Sequence, residues 1–145
     1  MKSEPYVYSI DDLKKDETTY WEGVRNYQAR NNMMAMSVEN EVLYYHSQQK
    51  PPGVVGVAVV VKEAYPDFTQ FDNKHKYYDE KSSKENPRWW MVDIRFVKKF
   101  KTEVSISDIK SVSSLSDMVL VNNPRLSVQS VRNKEFNTIL KMSDS

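Results

Sequence analysis

The densest chemistry in this sequence lies in one eleven-residue run, Trp21-Glu22-Gly23-Val24-Arg25-Asn26-Tyr27-Gln28-Ala29-Arg30-Asn31. It places aromatic rings, two guanidiniums and several amides around a turn and the start of a helix. Those are the groups a nucleobase pocket requires. An aromatic face stacks on a base for about 1–3 kcal/mol, a guanidinium binds a phosphate or a base edge through two parallel hydrogen bonds, and an asparagine amide offers a donor and an acceptor together. The same run also serves a plainer purpose if Trp21 is a core residue and Asn26 only a helix cap.

Catalytic constellations are sparse by contrast. His46 and Ser47 are adjacent at a strand end, so they point to opposite faces, and no carboxylate is spaced to orient the imidazole. Asp11 and Asp12 fall in the first turn of a helix, where the helix dipole accounts for them. His75 lies in a charged stretch and reads as solvated. With only 3 glycines there is no loop to cradle a phosphate chain, and with no cysteine there are no disulfides, thiol nucleophiles or cysteine-based zinc sites. No cofactor, no metal and no catalytic residue is therefore assigned.

Composition sets the frame for these residues. A chain of 145 residues, 39% hydrophobic and 12% aromatic, fits one domain over residues 1–145 with its own core. No run approaches the roughly 20 apolar residues of a membrane helix, and Met1-Lys2-Ser3-Glu4-Pro5 has no apolar stretch like a secretion signal, so the expectation is a soluble, cytoplasmic protein with no membrane partner. A net charge of +1 does not fit gripping duplex DNA mainly by neutralising phosphates, so any nucleic-acid binding must be local.

The elements that must position the cluster follow from caps and periodicity. Lys2 to Pro5 reads as a short edge strand, and Ser9-Ile10-Asp11-Asp12 as a capping box opening a helix through about Lys15. Asn26 caps a second helix. Glu41 to His46 is strand-like, and the β-branched run from Val54 to Val61, extending to Tyr65, predicts a central buried strand. The polar stretch from Phe68 to Pro87 is a long loop with aromatic anchors Phe71, Tyr77 and Tyr78, of the kind that often carries function. Trp89 to Phe100 returns to strand character, with Trp90, Val92, Ile94 and Phe96 on one face, so only one of the two tryptophans can face the core. Ser105 opens another helix, Leu126 to Val131 predicts a last short strand, and Asn133 caps a helix with the apolar stripe Phe136, Ile139 and Leu140.

Taken together, Lys2-Ser3-Glu4-Pro5, Tyr8-Ser9-Ile10-Asp11-Asp12-Leu13, the Trp21 to Asn31 run, Tyr45-His46-Ser47, Lys50-Pro51-Pro52-Gly53, Ala64-Tyr65-Pro66-Asp67, Tyr78-Asp79, Arg88-Trp89-Trp90-Met91-Val92-Asp93 and Arg125-Leu126-Ser127-Val128-Gln129 resemble the EVE domain family, in this order and over essentially the whole chain. The resemblance implies an α+β, PUA-like fold: a small mixed or antiparallel curved sheet or pseudobarrel surrounded by short helices. It also implies kinship with the YTH readers of methylated adenine and the SRA readers of methylated cytosine, and hence a non-catalytic domain that reads a modified base, modified cytosine in DNA being the first ligand to consider. Gly23-Val24-Arg25-Asn26 occupies the place of the segment with which YTH readers enclose their base, and Arg25 stands where they have a cage tryptophan. The site is thus expected to be more polar than a methyl-adenine cage.

The leading expectation is a base held between the Lys2 to Pro5 strand and the Arg25 to Arg30 turn and helix. In it Trp21, Tyr27 or Trp90 stacks, Ser3 and Asn26 read the edge, and Arg25, Arg30 and Arg125 reach phosphate or edge, with Lys2, Glu4, Pro5 and His46 completing the ligand-binding set. Two alternatives stay open: an RNA-binding PUA-like module, for example on tRNA, and a nucleotide-acting enzyme with Glu4 or His46 as acid or base.

Overall fold

A computed structural model describes residues 1–144. Its frame is a five-stranded sheet in the order β1-β3-β4-β5-β2. The strands are β1 (Lys2–Ser3), β2 (Thr18–Tyr20), β3 (Glu41–His46), β4 (Gly53–Pro66) and β5 (Trp90–Ser105). The β1 edge runs parallel to β3, and every other pairing is antiparallel. Residues 53–60 of β4 are buried without a break, because the strand lies at the centre of the sheet and is covered on both faces.

Alternation along β3 separates the two faces. Val42 and Tyr44 join one hydrophobic cluster, with Ile10, Leu13, Ala29, Met33, Val92 and Ile94. Leu43 and Tyr45 join the other, with Phe100, Val104, Ile109, Leu115 and Ile139. Helices α1 (Ile10–Asp16) and α2 (Tyr27–Met34) therefore cover the first face, and α3 (Ile106–Ser111), α4 (Val119–Asn122) and α5 (Asn133–Ser143) cover the second. The caps expected of Ser9, Asn26 and Ser105 are all made: their side chains accept from the backbone N–H of Asp12, Ala29 and Asp108. Among the described residues no helix is long and apolar enough to cross a membrane.

Four repeated register shifts between β4 and β5 mark bulges, which bend long paired strands. The bend is large enough that β1 and β2, the two outer strands of the sheet, line one cavity. They do not pair with each other, so the sheet is an open one rather than a closed barrel.

Several local expectations change. Only Lys2–Ser3 of the first segment pairs as strand; from Glu4 the chain turns, with Val7 N and Tyr8 N both donating to the Glu4 carbonyl. The strand β2 had no sequence signal, being three residues without apolar alternation. The segment 126–131 is not a strand: Leu126 and Val128 are buried anchors of an irregular stretch, and the Ser127 carbonyl accepts from Lys2 N at 3.0 Å. The last helix is capped one residue earlier than expected, at Arg132, whose backbone N–H donates to Glu135 and whose guanidinium pairs with it at 2.8 Å.

His46 ends β3 and is 5% exposed. Its Nε2 accepts from Ile10 N at 3.0 Å, which leaves the proton on Nδ1, facing Gln49 Oε1 at 3.0 Å. Both ring nitrogens are thus engaged in joining β3 to the start of α1. Burial lowers the imidazole pKa below its ordinary 6.5. The unfolded chain then takes up the proton at higher pH than the folded one, so stability present above 6.5 is lost as pH falls below it. The thermal midpoint is expected to drop on mild acidification, and His46→Gln, which keeps an acceptor but does not titrate, should flatten that slope. An unchanged slope in the variant would assign the effect to other groups.

Candidate functional site

The cavity at the gap between the sheet edges has a volume of about 720 Å³. One wall is the end of β1 and the turn after it, contributing Lys2, Ser3, Glu4, Val7 and Tyr8. Opposite lie β2 and the chain leaving it, Trp21 to Arg25, while Lys76 and Tyr77 enter from the long loop and Ser127 from the irregular stretch near β1. Tyr44, fully buried beneath, ties two walls together: its hydroxyl donates to the Tyr8 carbonyl at 2.7 Å, and its ring meets Trp21 edge-on at 5.6 Å. Ser3 Oγ donates to the same Tyr8 carbonyl at 2.7 Å. The Tyr8 hydroxyl donates to Asp16 at 2.7 Å, and burial, helped by that carboxylate, pushes its pKa up to about 12, so it remains a neutral donor.

The position of the Trp21 to Arg25 segment is set by Asp67, whose side chain is completely buried. Its carboxylate accepts from Gly23 N at 2.8 Å, from Arg25 Nη1 at 3.1 Å, from Thr69 N at 2.8 Å and from the Thr69 hydroxyl. Arg25 in turn uses all five of its N–H donors within the protein. Nε and Nη2 donate to the Tyr77 carbonyl, Nη1 to the Val24 carbonyl and Asp67, and Nη2 also to Thr69 Oγ1. Gly23 has φ of +86°, and a Cβ there would lie 2.4 Å from the Tyr77 ring, so glycine is required both for the turn and for the close approach of that aromatic wall.

A second aromatic assembly adjoins this one. The Tyr27 and Trp89 rings stack at 4.9 Å, with the Arg25 guanidinium 5.4 Å from the Trp89 ring and that of Arg30 4.8 Å from the Tyr27 ring. Trp89 Nε1 donates to Asp79 at 2.7 Å, and that bond holds the Asp79 carboxyl below its ordinary pKa. Gln70, also fully buried, accepts from Arg88 N and Trp89 N and donates to the Asp67 and Trp89 carbonyls, so every group of its amide is satisfied.

Of the residues singled out in the sequence, Lys2, Ser3, Glu4, Trp21 and Arg25 come together around the cavity. The others lie outside its lining. Pro5 follows Glu4 in the turn, the Asn26 side-chain oxygen caps α2, and Tyr27 and Arg30 belong to the stacked assembly. His46 holds α1, Trp90 begins β5 opposite Pro66, and Arg125 is exposed beside the irregular stretch. The buried tryptophan of the pair is Trp89, at 6% exposed. Tyr8, Glu22 and Asp67, named above but outside the expected ligand-binding set, also build the site. Asp67 carried a usable signal: an aspartate after Pro66 and two residues before Thr69 is an Asx-turn pattern opening the long loop. Among the described residues, no group of three or more His, Cys, Asp or Glu side chains is placed to hold a metal ion.

An open, bent five-stranded mixed sheet covered by short helices, with a polar and aromatic cavity between its edges, defines a PUA-like α+β domain. Residues 1–142 match the EVE domain model, and the chain belongs to the EVE domain family. It is 46% identical over 147 residues to thymocyte nuclear protein 1 of Gallus gallus, a match that covers 94% of this chain and 61% of that protein, so the chain spans less than two thirds of that relative's length. A hypothetical protein from Leishmania major has a solved structure similar at TM-score 0.95 and 50% identity, covering 99% of this chain and 92% of that one. The human THYN1 protein, in complex with DNA containing 5-methylcytosine, is similar at TM-score 0.95 and 41% identity, covering 100% of this chain and 96% of that one.

Removing the buried Asp67 carboxylate leaves Gly23 N, Thr69 N and one donor of partly buried Arg25 without their acceptor. Asp67→Ala is expected to lower unfolding stability by about 3–5 kcal/mol in urea titrations, and a loss below about 1 kcal/mol would show that the loop is anchored elsewhere.

Proposed function

We propose that this chain binds DNA and reads a single modified base, methylated cytosine first, by taking it into the cavity between Lys2–Glu4 and Trp21–Arg25, without altering it. The observation that carries this reading is the likeness, over the full chain, to the human protein that is in complex with 5-methylcytosine-containing DNA. The cavity's volume of about 720 Å³ falls in the range of small-molecule sites, about 300–1,000 Å³, and accommodates one nucleoside.

The chemistry of the lining suits the task. Trp21 supplies a stacking surface, and Val24 an apolar contact for a 5-methyl group. The carboxylates of Glu4 and Glu22 match the exocyclic amine of cytosine, a donor that acidic side chains recognise, and Ser3 Oγ retains acceptor capacity. Arg25 has a different role from the one its charge suggests. With every donor engaged internally, it shapes the pocket and fixes Tyr77 instead of reaching phosphate. Lys2 and Lys76 lie nearer to that role, and their small number fits a chain whose net charge is only +1. A base inside a duplex must first leave its stack at a cost of a few kcal/mol, which stacking and edge contacts in the cavity offset. His46 offers no free ring nitrogen for acid–base work, which favours a reader over a nucleotide-acting enzyme.

Binding to matched oligonucleotides with cytosine or 5-methylcytosine, as DNA and as RNA, tests the reading through intrinsic tryptophan fluorescence. The methylated DNA is expected to bind most tightly, and Trp21→Ala to weaken it by about 1–3 kcal/mol with a retained thermal transition. Equal affinity for all four oligonucleotides would rule out base reading, and preference for the RNA forms would move the function to an RNA module.

A further inference from the structure

Tyr6 and Val7 are adjacent, apolar and unusually open, at 76% and 56% exposed. They form the tip of the turn between β1 and α1, and Val7 also lines the cavity. The turn is firmly held. Val7 N and Tyr8 N donate to the Glu4 carbonyl at 2.9 and 3.0 Å, and the Tyr8 carbonyl accepts from both Ser3 Oγ and the hydroxyl of buried Tyr44. A held turn therefore presents one aliphatic and one aromatic side chain at the lip of the cavity; the Tyr6 hydroxyl meets the Glu4 carboxylate, and its ring stays open to solvent.

A base drawn out of a duplex leaves a gap between its former neighbours, and proteins that unstack duplexes fill such gaps with apolar wedges. We propose that the Tyr6–Val7 turn is the wedge that enters the DNA stack when a base occupies the adjacent cavity. The proposal rests on the base-reading function above. On the opposite lip, Tyr20 and Phe68 are also exposed, at 46% and 50%, but their rings already pack edge to face on each other at 5.1 Å. Their apolar surface is partly satisfied, whereas that of Tyr6 and Val7 is not.

A wedge matters for a duplex and not for a single strand, which has no stack to repair. The probes are a short duplex with one central 5-methylcytosine–guanine pair and the methylated strand alone. The variant Tyr6→Ala, at a residue outside the cavity lining, is expected to bind the duplex about tenfold or more weakly, and the single strand within about twofold of the unmodified protein. Phe68→Ala should leave both affinities unchanged. Retained single-strand binding shows that the variant is folded and its cavity intact. Equal weakening on both probes, unchanged duplex binding, or a duplex-specific loss in Phe68→Ala instead would each overturn the wedge while leaving base reading in place. If the unmodified protein binds neither probe, base reading fails and the wedge with it.

Discussion

The carboxylate of Asp67 is the group on which the site depends. Buried out of water, it is tolerable as an anion because four hydrogen bonds converge on it, one of them from a guanidinium. Those four bonds join two distant parts of the chain: the Gly23–Arg25 segment that leads into α2, and the entry to the long loop at Thr69. Arg25 extends the junction to Tyr77. The result is a cavity whose wall is made from a loop yet is fixed like a core element. A pocket that holds its shape before a ligand arrives has less ordering to lose on binding, the general advantage of preorganisation.

The same junction explains the departure from a methyl-adenine cage. An arginine in place of an aromatic at residue 25 does not leave the site without rings. It holds Tyr77 against Gly23 through the Tyr77 carbonyl, while Trp89 and Tyr27 stack outside the cavity lining. The aromatic character of the cavity comes from Tyr8, Tyr20, Trp21 and Tyr77, and its polar character from Ser3, Glu4 and Glu22 among others.

Legibility in the sequence followed the range of the interactions. The caps at Ser9, Asn26 and Ser105 and the β-branched run of β4 are local patterns, and they were readable residue by residue. The role of Arg25 was not, because composition reveals which groups are present but not which donors are already engaged. Arg25 contacts residues 42 to 52 positions away. Trp89 and Trp90 are a similar case. Alternation required one of them to be buried, but the choice depends on Gln70 and Asp79, which belong to a loop without periodicity. The short β2 and the irregular 126–131 segment are fixed by pairing and burial against distant residues, and a few-residue window carries no trace of that.

The decisive question is whether one modified base enters the cavity between the two sheet edges. Backbone and indole ¹H–¹⁵N spectra, recorded while a short 5-methylcytosine oligonucleotide is added, address it directly, since Trp21, Trp89 and Trp90 give separate indole signals. The account predicts that the Trp21 indole and the amides of Ser3, Glu4, Gly23 and Val24 shift most. Shifts confined to the opposite face of the sheet, around α3 and α5, with the Trp21 indole unmoved, would contradict it.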